Sequence, residues 1–298
     1  MNQANIQIMN NNYAGGVATS LWQYFEGDFI REVTERYEAK IPTGLSNLDF
    51  VLNGGISSEL YTVIGKIGDE RSAFFSYLAE QFALNGYDVL YISHNDTANS
   101  ILQMILARHD YKLFRDKSPH IPAIISKLSS SPQILQEYQS NLYPILTKIH
   151  VESCKLVDTD LLVERIISFK KTNQKVAVLI DEKVPSYYQS NIDRIGYQQH
   201  LRTINKIARE YETPILMNVT LTKGDFERIT AGFSTAAEIE ANVDNLILFS
   251  KHSSADNELQ STINPYLMEL IIRSNLSPYP TQIAHQIYHP NHFYLQDA

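Results

Sequence analysis

From Lys40 onward the chain alternates short apolar runs with longer helical stretches, and each pair is separated by a brief turn. That alternation constrains the fold more than any other feature, because parallel strands can be joined only by crossovers, usually helices. The predicted strands are Leu60–Gly65, Val89–Ser93, Ile149–Glu152, Val176–Asp181, Ile215–Val219 and Leu246–Ser250. Between them the spacing predicts helices at Ser72–Asn85, Ala98–Arg108, Ile134–Tyr143, Asp160–Lys171 and Asp193–Tyr211. The last is typical, with Ile204, Ile207, Ala208 and Tyr211 on one face. Two alternating runs, Tyr266–Arg273 and Ile283–Leu295, read as antiparallel additions at the sheet edge. The expected fold class is α/β, a mostly parallel sheet covered by helices on both faces, over residues 40–298.

Residues 1–17 are Asn-rich and patternless, and read as a tail. Within residues 18–39, Trp22, Phe25, Phe29 and Val33 recur at three- and four-residue steps, the stripe of an amphipathic helix over Ser20–Glu38. Such a stripe packs either on its own domain or on a neighbouring subunit. The sequence leaves both open.

With 44% hydrophobic and 19% charged residues, the 298-residue chain lies outside the range of disordered and low-complexity sequences. A single cysteine, Cys154, excludes an internal disulfide and points to a reducing compartment. The N-terminus lacks the basic and apolar regions of a signal peptide, and no apolar run approaches the roughly 18 residues of a membrane span. A cytoplasmic protein without a membrane partner is expected. The net charge of -8 argues against coating duplex DNA by bulk electrostatics. His285, His289 and His292 have a ligand-like look, but Pro290 interrupts any helix that would align them, so a metal site is not expected there.

The segment Ile41–Ser93 carries the chemistry. It contains a turn, a Gly-Gly break, an apolar strand, a polar loop, a helix and a second strand. A phosphate-binding loop, G-x-x-x-x-G-K-[ST], follows such a strand: its glycines let backbone N–H groups wrap phosphates, its lysine reaches their oxygens, and its hydroxyl holds Mg²⁺. Here the loop reads Gly65-Lys66-Ile67-Gly68-Asp69-Glu70-Arg71-Ser72. Gly65 and Ser72 fit. Glu70 stands where the second glycine belongs, bringing negative charge and a Cβ that penalises φ > 0, and Arg71 replaces the lysine with a planar fork.

Taken with IPTGLSNLD, LYTVIG and DVLYIS, the loop resembles the RecA-like C-terminal ATPase domain of DnaB-type replicative helicases, especially short phage- and mobile-element-type relatives. The order continues downstream in VAVLIDE, LRTINKIAREYETPILMNVT, AEIEANVDNLILFSK and ELIIRSNLSPYP, so the resemblance spans about residues 40–296. It implies a RecA-like core preceded by a linker helix. It also implies a nucleotide site formed by Gly65, Gly68, Arg71, Ser72, Asp181 and Arg273, with Ser72 and Asp181 as the Mg²⁺ ligands.

The same resemblance places the catalytic glutamate at Asn95 and the arginine finger at Asn275, with Arg273 keeping the first positive charge of that strand. An amide cannot take a proton from an attacking water, and an arginine finger is worth about 10³–10⁵ in rate. Arg71, Asn95 and Asn275 therefore remove the lysine, the base and the finger together. Asn95-Asp96-Thr97 also reads as a helix N-cap before Ala98.

By the same resemblance, two loops face the channel of a ring. They offer Tyr187, Tyr188, Arg194 and Tyr197, and then Lys223, Phe226 and Arg228, which suit single-stranded nucleic acid or stand as solvated loops. The expectation is a non-hydrolysing, DnaB-like pseudo-ATPase with at most a weak Mg-ATP site, acting on copies of itself, a replicative helicase or another replication protein. The competing readings are an active ATP-dependent DNA helicase and a regulator that senses ATP without turnover.

Overall fold

The computed structural model describes residues 20–31, 34, 40–66, 70–94, 96–115, 120–154, 158–182, 191–221, 239–251, 265–274 and 281–298. The chain divides into two compact units, Met1–Ala39 and Lys40–Ala298. In the first, helix α1 (Leu21–Tyr24) runs into a π-helical turn, Phe25–Phe29. Ser20 starts it with a reciprocal cap in which its hydroxyl accepts from Gln23 N and its own N–H reaches the Gln23 side chain. Gly27, in the middle of the π turn, has open space where a Cβ would sit. The expected stripe is thus carried on a helix that widens partway along.

In the second unit the strands are β1 (Leu60–Lys66), β2 (Asp88–Ser93), β3 (Ile149–Ser153), β4 (Val176–Glu182), β5 (Ile215–Leu221), β6 (Asn245–Lys251), β7 (Tyr266–Ser274), β8 (Thr281–His289) and β9 (Tyr294–Asp297). They form one sheet in the order β3-β2-β4-β5-β1-β6-β7-β8-β9. The first six are parallel and the rest antiparallel, as the alternating C-terminal pattern predicts. The run expected at Ile283–Leu295 is split, because Pro290 cannot donate to a ladder. A 3-10 turn, Pro290–His292, separates β8 from β9.

The helices are α2 (Ser46–Val51), α3 (Arg71–Leu84), α4 (Ala98–Phe114), α5 (Ile121–Ser130), α6 (Pro132–Leu146), α7 (Thr159–Thr172) and α8 (Asn191–Glu210). Helix α5 was not anticipated, since its ten residues begin Ile-Pro and end in serines that read as loop. Its Pro122 sits in the first turn, where a missing N–H costs nothing. No helix among the described residues is long and apolar enough to cross a membrane.

Side-chain alternation divides the core between the two sheet faces. Val63, Tyr91, Leu179 and Leu216 pack with Phe74, Phe75 and Leu78 of α3 on one face. Ile64, Ile92, Ile180 and Met217 pack with Leu162 and Ile166 of α7 and with Leu201 and Ile204 of α8 on the other. The Gly-Gly break has a steric cause: Gly55 has φ +127, and a Cβ there would lie 2.2 Å from the Ile41 carbonyl oxygen. That close approach allows the Ile41–Ile56 bridge that closes the turn before β1. The order places β1 between β5 and β6, with β4 beyond β5, so the C-terminal ends of β1, β5 and β4 lie side by side.

Candidate functional site

The loop leaves β1 at Lys66 and enters α3 at Arg71, with Ile67, Gly68 and Asp69 outside the described residues. Glu70, the residue before the helix, has φ 57 and ψ 27, in the left-handed region. This backbone bend is one that glycine adopts freely and that costs a residue with a Cβ on the order of 1 kcal/mol. The glutamate is therefore held in a conformation its own chemistry disfavours. Its carbonyl opens the helix by accepting from Ala73 N at 3.1 Å and Phe74 N at 3.3 Å.

Arg71, at 6% exposure, is buried. Its Nε donates to Asn218 Oδ1 at 2.6 Å, and its Nη1 donates to the Lys66 carbonyl oxygen, also at 2.6 Å. The guanidinium thus spans from the end of β1 to the middle of β5. Asn218 in turn donates from Nδ2 to Asp181 Oδ1 at 2.5 Å, and Ser93 Oγ donates to Asp181 Oδ2 at 3.1 Å. A buried aspartate is costly without partners, and both carboxylate oxygens have one. The result is a line, Arg71–Asn218–Asp181–Ser93, across β5, β4 and β2.

Sheet register explains the line. Asn218 lies opposite Val63 of β1 and Asp181 of β4, and Asp181 lies opposite Ser93 of β2. Three polar side chains at matched positions of neighbouring strands meet on the α3 face. The next residue, Glu182, points to the other face, as strand alternation requires. There its Oε2 lies 3.5 Å from Nε2 of buried His200, whose Nδ1 is 2.8 Å from Thr159 Oγ1.

At the end of β2, Ser93 Oγ also accepts from Asp96 N at 2.8 Å, and His94 N donates to the Asp181 carbonyl at 3.0 Å. Thr97 caps α4, its Oγ1 accepting from Ser100 N while Ser100 Oγ accepts from Thr97 N. Asn95 lies outside the described residues. Asp96 Oδ2 is buried and makes no hydrogen bond among the described residues. Burial, then the nearby charges of Asp181 and Asp96, push the Tyr91 phenol well above its ordinary pKa.

Of the remaining sequence candidates, Gly65 pairs with Thr220 of β5 and Phe249 of β6, and Ser72 is half-buried in the first turn of α3. Arg273, on β7, sits with Nη1 3.6 Å from Glu240 Oε2. Gly68, Asn275, Tyr187, Tyr188, Lys223, Phe226 and Arg228 lie outside the described residues, as does the side chain of Arg194 in the first turn of α8. Tyr197 is buried against α8's own His200, with ring centroids 5.8 Å apart. His289 and His292 pack on Tyr111, and no group among the described residues has the make-up of a metal site. Half-buried Cys154 donates its N–H to the Ser93 carbonyl.

Sequence reasoning missed Asn218 and Ser93. The signal was present: an amide in the apolar run ILMNVTL needs a buried partner.

No protein-family model matches the sequence, and no curated protein matches it either. Solved structures do match in shape. One of them, an ATPase domain of the DnaB-like helicase type, superposes with a TM-score of 0.64 at 14% identity, covering 95% of this chain and all of that one. A DnaB-like replicative helicase, solved for its interactions with primase, gives 0.68 at 14% identity, covering 99% of this chain and 71% of that one. The RadB recombinase gives 0.56 at 13% identity, covering 87% and 99%. The chain has the fold shared by DnaB-like helicase ATPase domains and RecA-type recombinases.

Proposed function

We propose that this chain is a DnaB-like helicase-core protein that works by assembling with copies of itself or with replication proteins, and that it does not turn over ATP. The observation that carries this reading is the direction of Arg71. A phosphate-loop cation serves catalysis by reaching phosphate oxygens, and a strand-end carboxylate by organising Mg²⁺. Here Arg71 donates inward to Lys66 and Asn218, and Asp181 accepts from Asn218 and Ser93. As arranged, these residues do not fit a Mg-nucleotide: the charges that would meet it answer each other through one amide.

The sequence supports the same reading at Asn95 and Asn275, where the resemblance expects the base and the finger. Loss of the lysine, base and finger removes separate parts of one transition-state device. The helicase solved for its interactions with primase suggests the class of partner, a replication protein that docks on such a core. The test is steady-state Mg-ATP hydrolysis by the purified chain, with and without single-stranded DNA. No turnover above background is expected. Turnover near one per second that disappears in Asp181→Ala overturns the reading and restores the helicase.

A further inference from the structure

We propose that Asn218 is a positioning residue that holds the loop site shut, making Arg71 an internal ligand that incoming phosphate must displace. The inference rests on reading Gly65–Ser72 as a phosphate-type loop. Asn218 is 2% exposed and uses both ends of its amide, the oxygen toward the cation and the nitrogen toward the anion. Among neutral side chains of this length an amide alone offers a donor and an acceptor side by side. A carboxylate there would satisfy Arg71 and repel Asp181; a leucine would satisfy neither.

The orientation of the amide is fixed. A flip would set Nδ2 against the guanidinium and Oδ1 against the carboxylate, two repulsions in place of two charge-assisted bonds. The backbone is fixed as well, since Asn218 lies between β1 and β4 and is paired to both. Arg71, on the first turn of α3, is the movable partner. Its second bond, to the Lys66 carbonyl, closes the loop on the loop's own residue. A triphosphate therefore gains Arg71 only by breaking the Arg71–Asn218 bond. Asn218 sets how much of the phosphate affinity is lost to that displacement.

The experiment compares Mg-ATP and inorganic tripolyphosphate binding to the whole chain by calorimetry for wild type, Asn218→Leu and Asn218→Asp. Asn218→Leu frees Arg71 and is expected to bind about tenfold more tightly than wild type, and Asn218→Asp, which pairs with Arg71 more strongly, more weakly than wild type. Equal affinities within twofold for folded variants overturn the proposal, as does tighter binding by Asn218→Asp. So does an absence of binding in all three, which leaves the non-hydrolysing reading intact. Turnover by wild type overturns that reading and leaves this comparison valid.

If Asn218→Leu does not fold, wild type supplies the measurement. On saturation with tripolyphosphate, the side-chain NMR signals of Arg71 Nε–H and Asn218 Nδ2–H₂ are expected to shift together. An Asn218 signal that stays in place while the ligand saturates overturns the proposal.

Discussion

The carboxylate of Asp297 accepts the backbone N–H of Asn47 at 2.9 Å, and its other oxygen accepts that of Ser46 at 2.8 Å. The last strand thereby caps the first turn of α2, whose own preceding residue, Leu45, has no side-chain hydrogen bond to offer. Burial opposes ionisation of Asp297, but the bonds from Asn47 and Ser46 outweigh it and hold its pKa below the usual carboxylate value. Because the folded pKa is the lower one, the contribution is complete above the ordinary carboxylate pKa and is lost as pH falls through the folded value. Asp297→Asn is expected to cost about 1 kcal/mol at neutral pH, the usual worth of a cap, and less at acid pH. Urea midpoints at the two pH values read the difference, and an equal loss at both refutes it.

Glu80 and Arg108 make a second, deeper pair. Arg108, fully buried on α4, donates to Glu80 of α3 at 3.0 Å, to the Ser76 oxygens and to the Phe293 carbonyl, and Lys112 also pairs with Glu80. Burial raises the Glu80 pKa, but the charges of Arg108 and Lys112 outweigh it and leave the net value lowered. Breaking one partner of a buried pair strands the other charge. Arg108→Ala is expected to cost about 3–5 kcal/mol, and Glu80→Gln less, because the amide keeps an acceptor. Thermal melts decide: a shift for Arg108→Ala no larger than that of an exposed arginine such as Arg165 shows that the network does not tie α3 to α4.

The left-handed backbone at Glu70 gives a prediction of unusual sign. Replacing a residue by glycine normally destabilises by enlarging the unfolded ensemble, but here glycine relieves a φ of 57. Glu70→Gly is expected to leave stability unchanged or raise it by about 1 kcal/mol. Combined with Arg71→Lys, it is expected to tighten Mg-ATP binding without producing turnover, since neither change supplies a base or a finger. A loss of stability in Glu70→Gly shows that the side chain holds the loop in a way its backbone does not reveal.

Much of the fold was legible because strand and helix periods differ. All six parallel strands fall within two residues of the ends that periodicity sets, from Leu60 to Lys251. What periodicity could not supply was the lateral order of the strands, and the site depends on it. Asn218, Asp181 and Ser93 are far apart in sequence and meet only because β5, β4 and β2 are neighbours in register. The loop's departures, Glu70 and Arg71, were readable as chemistry, but the inward turn of Arg71 depends on an acceptor more than a hundred residues away. Helix α5 was missed for a local reason, its proline and serines masking a short amphipathic helix that buries Ile124.

The last prediction concerns the N-terminal helix. Its Leu21, Trp22, Phe25 and Ile30 are all more than half exposed, and Phe29 is 37% exposed. Trp22, Phe25 and Phe29 lie in line, with ring centroids 6.1 Å and 5.8 Å apart, as the stripe of three- and four-residue steps expects. Helices this short are marginal in water unless an apolar face is covered. Each large side chain buried contributes about 1.5–3 kcal/mol before association entropy is subtracted, so several together can hold an interface. Self-association through this helix is therefore expected, and Trp22→Ala with Phe29→Ala is expected to convert an oligomer into a folded monomer. Light scattering of the intact chain and of the double variant reads the outcome directly. A wild-type monomer at high concentration, without nucleotide or partner, refutes it. So does deletion of residues 1–38 that lowers the melting temperature equally at every concentration, because that places the stripe on its own core.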